Sequence, residues 1–171
     1  GINLEHTYYI GDGETPNLTA PRNASVKDEM AVRGESFVEY FLRLSRETDG
    51  RALFNFRLFC ADMDELGDLF ANSKNVLPSL GDAGAHVSQI IDADWATFTL
   101  KYWIKERAVY SLSEGIKRMT SDGARVMGLK DRGTLAVGKR AAVNVFDLDR
   151  VQQLQPHLVH NFPRAAGHFT Q

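Results

Sequence analysis

The chain has 171 residues, enough for one domain with its own core. Apolar residues make up 43% and charged residues 25%, and 20 basic against 22 acidic side chains leave a formal net charge of -2, so no global field favours nucleic acid or an anionic membrane as a partner. The apolar runs are too short to span a bilayer, no basic-then-apolar leader opens the chain, and the single Cys60 excludes an internal disulfide and a thiolate metal cluster, so a reducing, cytoplasmic setting is the expectation.

Residues 1–24 scatter Gly11, Gly13, Pro16, Asn17, Pro21 and Asn23 among polar side chains and are predicted to be an extended lead-in and a long loop. Ser25-Val26-Lys27-Asp28 has capping-box spacing, with Asp in place of the commoner Glu, and starts a predicted helix that Gly34 stops. A second helix is predicted over 36–48, where Phe37, Tyr40, Phe41 and Leu44 form one core-facing stripe and Gly50 lies just past the end. Residues 52–59 are aromatic-rich and of strand length, and Asp62-Met63-Asp64-Glu65 starts a short helix whose acidic first turn suits its dipole.

A strand is predicted over 76–80, followed by a helix capped by Asp94 or a neighbour and carrying Trp95, Phe98, Tyr102 and Trp103 as core. Ser111-Leu112-Ser113-Glu114 is a further capping box whose helix breaks near Ser121, with a last turn over 124–127 ending at Gly128. Strand and helix alternating in this way predict parallel α/β units. From Gly133 the pattern changes, and residues 134–147 turn around Gly138-Lys139 as a β-hairpin whose Lys130, Arg132, Lys139 and Arg140 form a solvated basic edge.

The segment 76–86 carries the chemistry. It passes from an apolar run into Gly81-Asp82-Ala83-Gly84-Ala85-His86, where the two glycines strip bulk from either side of Asp82 and let a substrate or a metal approach it. Asp82 either binds the backbone N–H groups of its own turn or serves as a reactive carboxylate. His86 either orients the substrate or is a hydrogen-bonded loop side chain. Asp92 and Asp94 read as helix-capping acids or as acids of a substrate loop, His157-x-x-His160 as surface or interface histidines whose spacing a helix could also turn toward one metal, and Cys60 as a small buried apolar group or a reactive thiol.

The strings LPSLGDAGAHVSQIIDADWATFTLKYW, LSEGIKRMTSDGARVMGLKDRGTLAVGKRAAVNVFDLDRV and VHNFPRAAGHFTQ together resemble the C-terminal part of the metal-dependent amidohydrolase superfamily, in its D-aminoacylase and N-acyl-D-amino-acid deacylase branch. The resemblance implies an α/β fold: the C-terminal βα units of a (β/α)8 TIM-type barrel with a short β-hairpin from the adjoining β-sandwich, an incomplete barrel fragment. Its implied domain plan is a lead-in over 1–24, the last βα units over 25–132, and a partial sandwich arm and tail over 133–171.

By the same resemblance Asp82 is the catalytic residue and a metal contact. It takes a proton from metal-activated water and delivers it to the leaving nitrogen, while Gly84 and His86 line the substrate. The cofactor implied is zinc or another divalent metal in the full-length parent, not tightly bound by this chain alone, and the substrate is a small N-acylated molecule. The chain holds no H-x-H pair, and residues 87–95 lack the arginine expected to bind a free D-amino-acid carboxylate. A fragment inactive by itself and prone to self-association is therefore expected. The alternatives are a non-catalytic interaction or structural domain, or another superfamily activity such as cyclic amide hydrolysis.

Overall fold

The computed structural model describes residues 2–79, 81, 83, 92–161 and 167–170, with residues 168–170 described by backbone alone. The fold is mixed α/β, with several helices and two small, unclosed two-stranded sheets. It divides into two compact units, the first comprising residues 1–66 and 154–157 and the second residues 67–153 and 158–170.

In the first unit, β1 (Thr7–Tyr9) lies in the segment predicted to be an extended lead-in and a long loop. α1 (Val26–Arg33) begins at the expected capping box, in which the Asp28 N–H donates to Ser25 Oγ at 3.2 Å and the Ser25 N–H donates to Asp28 Oδ2 at 3.3 Å. Gly34 ends it at φ 67°, a left-handed conformation that a β-carbon disfavours. α2 (Phe37–Glu47) repeats the device with Ser36 and Glu39. β2 (Phe54–Phe56) then pairs antiparallel to β1, with Tyr8 opposite Asn55.

The core of this unit gathers Tyr8, Ile10, Val26, Tyr40 and Leu44. Burying Val26 alone contributes about 1.5–3 kcal/mol. Tyr40 is 0% exposed, and its hydroxyl finds a partner by donating to Glu29 Oε2 at 2.6 Å. Arg57 lays its guanidinium 3.9 Å from the Tyr8 ring centroid and donates to the carbonyls of Leu18 at 3.1 Å and Ala20 at 2.7 Å, which folds the N-terminal loop over the sheet. Gln155 holds the same loop from the other end of the chain, donating to the carbonyls of Glu14 and Gly11 at 2.9 Å each.

α3 (Met63–Asn72) is capped by Asp62, whose Oδ1 accepts from the N–H groups of Asp64 and Glu65. The helix continues past Gly67, where the second unit begins. α4 (Trp95–Phe98) passes into a π-helical stretch, Thr99–Glu106, in which three consecutive side chains, Tyr102, Trp103 and Ile104, are buried. The widened turn is visible where the Arg107 N–H reaches the Tyr102 carbonyl at 2.8 Å. Phe70 meets Trp103 edge-on with centroids 5.3 Å apart, and Phe98, Tyr102 and Tyr110 complete an aromatic core.

Two glycines let that helix in. A β-carbon on Gly67 would lie 3.3 Å from the Trp103 ring, and one on Gly115 would lie 2.8 Å from Ile104 Cγ1. α5 (Leu112–Lys117) starts at Ser111, whose Oγ accepts from the Glu114 N–H at 3.2 Å. A second π-helical turn, Arg118–Asp122, leads into α6 (Gly123–Val126). β3 (His157–Val159) and β4 (His168–Thr170) pair as the second sheet.

Several expectations are corrected. Where parallel α/β units are predicted, β2 instead runs antiparallel to β1. Residues 76–79 form no strand: Pro78 lacks an N–H for a ladder, and the Val76 carbonyl is taken by Arg118. Leu80 lies outside the described residues. Residues 134–147 form no paired strands: the Lys139 N–H turns back to the Ala136 carbonyl, the Arg140 N–H reaches the Asp131 carbonyl at 2.8 Å, and Val145 stands 96% exposed, because an isolated two-stranded ribbon with no face to bury is marginal.

The stripe on α2 is split, with Tyr40 and Leu44 buried while Phe37 and Phe41 remain substantially exposed. The predicted capping box at Ser111 is only half formed, since the Glu114 carboxylate turns to Arg118. Near Ser121 the helix widens into a π turn where a break is predicted. Cys60 is exposed, at φ 49°.

Candidate functional site

Asp82, Gly84 and His86 lie outside the described residues, and the structure describes the frame around them. On the near side, Gly81 sits against the backbone of Asp92, where an added β-carbon would collide with the Asp92 carbonyl oxygen. The chain therefore leaves at residue 81 and returns at residue 92 beside itself, and glycine is needed for that approach.

The lead-in to Gly81 is held by Arg118, a residue that sequence reasoning missed. Its guanidinium is buried; Nη1 donates to the carbonyls of Ser73 at 2.8 Å and Val76 at 3.0 Å, and Nε donates to Glu114 Oε1 at 2.8 Å. The same group lies over the Tyr110 ring, 4.6 Å from its centroid. Burial pushes the Tyr110 phenol up from its ordinary range, and the Arg118 charge opposes that shift. Sequence offered one signal: an i, i+4 Glu-to-Arg pair whose arginine falls among apolar helix positions.

On the far side, Asp92–Asp94 forms a single 3₁₀ turn. Asp94 occupies the N-cap position of α4 yet makes no capping bond; its Oδ2 instead accepts from the side-chain amide of Gln153, which is buried. The expected cap is thus replaced by a tie to a segment much later in the chain. Asp92 is exposed at the start of the turn.

Among the described residues, no group of three or more His, Cys, Asp or Glu side chains could hold a metal ion. His157 lies on β3 and His160 just beyond it, and extended backbone sends residues three apart to opposite faces, so the two do not converge as they would on a helix. Gly167 packs against the His160 ring, where a β-carbon would come within 2.9 Å of Cε1. An open groove of about 700 Å³ lies elsewhere in the second unit, between Leu112, Ile116, Thr120 and Gly133, and contains none of the candidate residues. No helix among the described residues is long and apolar enough to cross a membrane.

Comparison with known proteins bears on this same region. Residues 84–161 match the model of the amidohydrolase family. An N-acyl-D-glutamate deacylase from Alcaligenes xylosoxydans xylosoxydans is 46% identical over 59 residues, a stretch equal to 33% of this chain and 12% of the relative. The similarity is thus to an amidohydrolase that acts on an acylated amino acid, over about a third of the chain. No solved structure matches.

Proposed function

We propose that this chain supplies the closing part of the catalytic domain of a hydrolase that cleaves the amide C–N bond of an N-acylated D-amino acid. The observation that carries the reading is the match of residues 84–161 to the amidohydrolase family, supported by the partial identity to a deacylase of N-acyl-D-glutamate. Asp82 is the proton carrier: its carboxylate accepts a proton from the water that attacks the acyl carbon and returns it to the departing nitrogen. Gly84 leaves room for the acyl group, and His86 orients it.

The described residues do not fit a metal site by themselves, so no step is assigned to a cation here. The zinc or other divalent ion of the proposal, with Asp82 as one contact, draws its remaining ligands from elsewhere in a longer polypeptide built as a (β/α)8 barrel. In that reading residues 25–132 are the barrel's last βα units, residues 133–171 an arm of an adjoining β-sandwich, and the isolated chain is inactive. Exposed apolar side chains such as Val137, Val143 and Val145 make self-association part of the same proposal. Sedimentation velocity checks this point, and a monomer at every concentration would remove it.

The function is tested with Asp82→Asn in the full-length protein, assayed on N-acyl-D-amino acids against their L-enantiomers. Loss of turnover with an unchanged thermal midpoint is expected. Turnover close to the parent's would take Asp82 out of the mechanism, and hydrolysis of neither enantiomer by the parent would end the deacylase reading.

A further inference from the structure

We infer that the exposed face of α2 is the surface through which two copies of this chain associate, their α2 helices lying antiparallel across a two-fold axis near Leu42; the inference rests on the proposed self-association and names the surface that produces it. Tyr40 and Leu44 turn one arc of the helix into the core. Phe37, Val38, Phe41 and Leu42 fall on the adjoining arc, about 140° wide at the helical repeat. That arc stays open to solvent: Val38 and Leu42 are 63% and 61% exposed, and Phe37 and Phe41 are 44% exposed each.

The patch is held in shape before anything covers it. The Phe37 and Phe41 rings lie 6.1 Å apart, and Phe41 stacks on Phe54 of β2 at 6.3 Å. Phe56, two residues on and so on the same face of β2, continues the patch and is itself exposed. Rings already packed on one another lose little freedom when they are covered, which removes part of the entropic cost of association. At about 150–200 Å² for a whole large apolar side chain, these five leave roughly 450 Å² open, and patches of about that size mark interaction sites. Two of them with their polar rims approach about 1,200 Å², the lower bound for a stable interface.

The charges along the border point to another copy as the occupant. Arg43 is already engaged by Glu35 and Glu47. Glu39 and Arg46 are both exposed, lie two helical turns apart along the same border of the arc, and have no ion-pair partner among the described residues. In an antiparallel pair centred near Leu42, that side chain meets its own copy, and Glu39 of each chain comes within side-chain reach of Arg46 of the other. One helix thus carries both halves of a reciprocal set of ion pairs, as an isologous interface requires.

The test is sedimentation equilibrium of the 171-residue chain. Leu42→Gln alters an exposed position and is expected to weaken dimerisation about 10-fold or more, and Glu39→Lys and Arg46→Glu, which set like charges against each other, about 10-fold each. An equal mixture of Glu39→Lys and Arg46→Glu is expected to associate to within about 3-fold of the parent, because every contact in the mixed pair again joins opposite charges. Leu42→Gln and Arg46→Glu leave the Ser36 cap intact, so they decide the matter should Glu39→Lys fold poorly.

Dimers as tight as the parent's in both Leu42→Gln and Arg46→Glu would overturn the inference and leave self-association standing. A parent chain monomeric at every concentration would defeat self-association and this surface together. Dimers of the 171-residue chain that are absent from the full-length protein would give the face to another segment of the longer polypeptide, and would overturn the inference too.

Discussion

A β-carbon placed on Gly115 would come within 2.8 Å of Ile104 Cγ1, so α5 can lie against the widened helix only because residue 115 has no side chain. Gly115→Ala tests which of two effects wins. Alanine gains about 1 kcal/mol of helix propensity over glycine, whereas overpacking a filled core costs about 1–3 kcal/mol. Ile104 is buried, so a net loss of about 1 kcal/mol is expected by urea unfolding. Ile104→Val added to Gly115→Ala should recover part of it, and strict additivity of the two changes would contradict the contact.

Tyr40→Phe removes one hydroxyl from the core of the first unit and leaves the half-buried Glu29 carboxylate without that donor. Burial first, and Glu29 second, hold the Tyr40 phenol well above its ordinary range, so it stays a donor at all working pH values. A loss of about 1–2 kcal/mol is expected, read as a shift in the denaturant midpoint at constant slope. An unshifted midpoint would show the bond to be replaced by water.

Gly81→Ala is expected to act locally. The clashing atom is a backbone oxygen that cannot swing aside, so the approach of residues 81 and 92 must open. With Asp82 as proton carrier, turnover in the full-length protein should fall on the order of 100-fold with a thermal midpoint near the parent's. Retained turnover would separate the bend from the chemistry.

Acid should loosen the first unit in a defined window. The Arg43 guanidinium hydrogen-bonded to Glu35 holds that carboxyl below its ordinary value of 4.5. The Ser36 hydroxyl does the same for Glu39, and the backbone N–H of Glu65 does so for Asp62, whose ordinary value is 3.8. Folded values below unfolded ones mean that these contributions are complete above the ordinary values and disappear as pH falls through the folded ones. Urea midpoints should therefore be flat from about pH 7 to about pH 5 and decline below. Glu35→Gln should flatten part of that decline, and an identical slope in the variant would dismiss the Arg43 pair as a contributor.

Local bonds were the most legible part of the chain. Ser25 and Asp28 satisfy helix N–H groups three residues away, so spacing alone reveals them, and Gly34 follows from its left-handed cap, whereas the same device at Ser36 and Glu39 was overlooked. β1 was not legible, because three residues in a turn-rich segment become a strand only through pairing with residues 54–56. The same holds for Arg118 and Asp94, whose partners lie 42 to 59 positions away. The predicted strands at 76–80 and 134–147 had the right apolar pattern, yet a pattern needs a neighbouring strand before it becomes a ladder. Asp82 was singled out from residue types alone and lies outside the described residues, whereas the approach of Gly81 to Asp92 had to be read from space.

The tie between Gln153 and Asp94 sets an order of events. In a polypeptide made from its N-terminus, Asp94 emerges long before the amide that will hold it, so the start of α4 lacks this tie until synthesis has passed Gln153. A chain ended at Asp149 would hold every residue of α4, α5 and α6 and still lack the amide that holds Asp94.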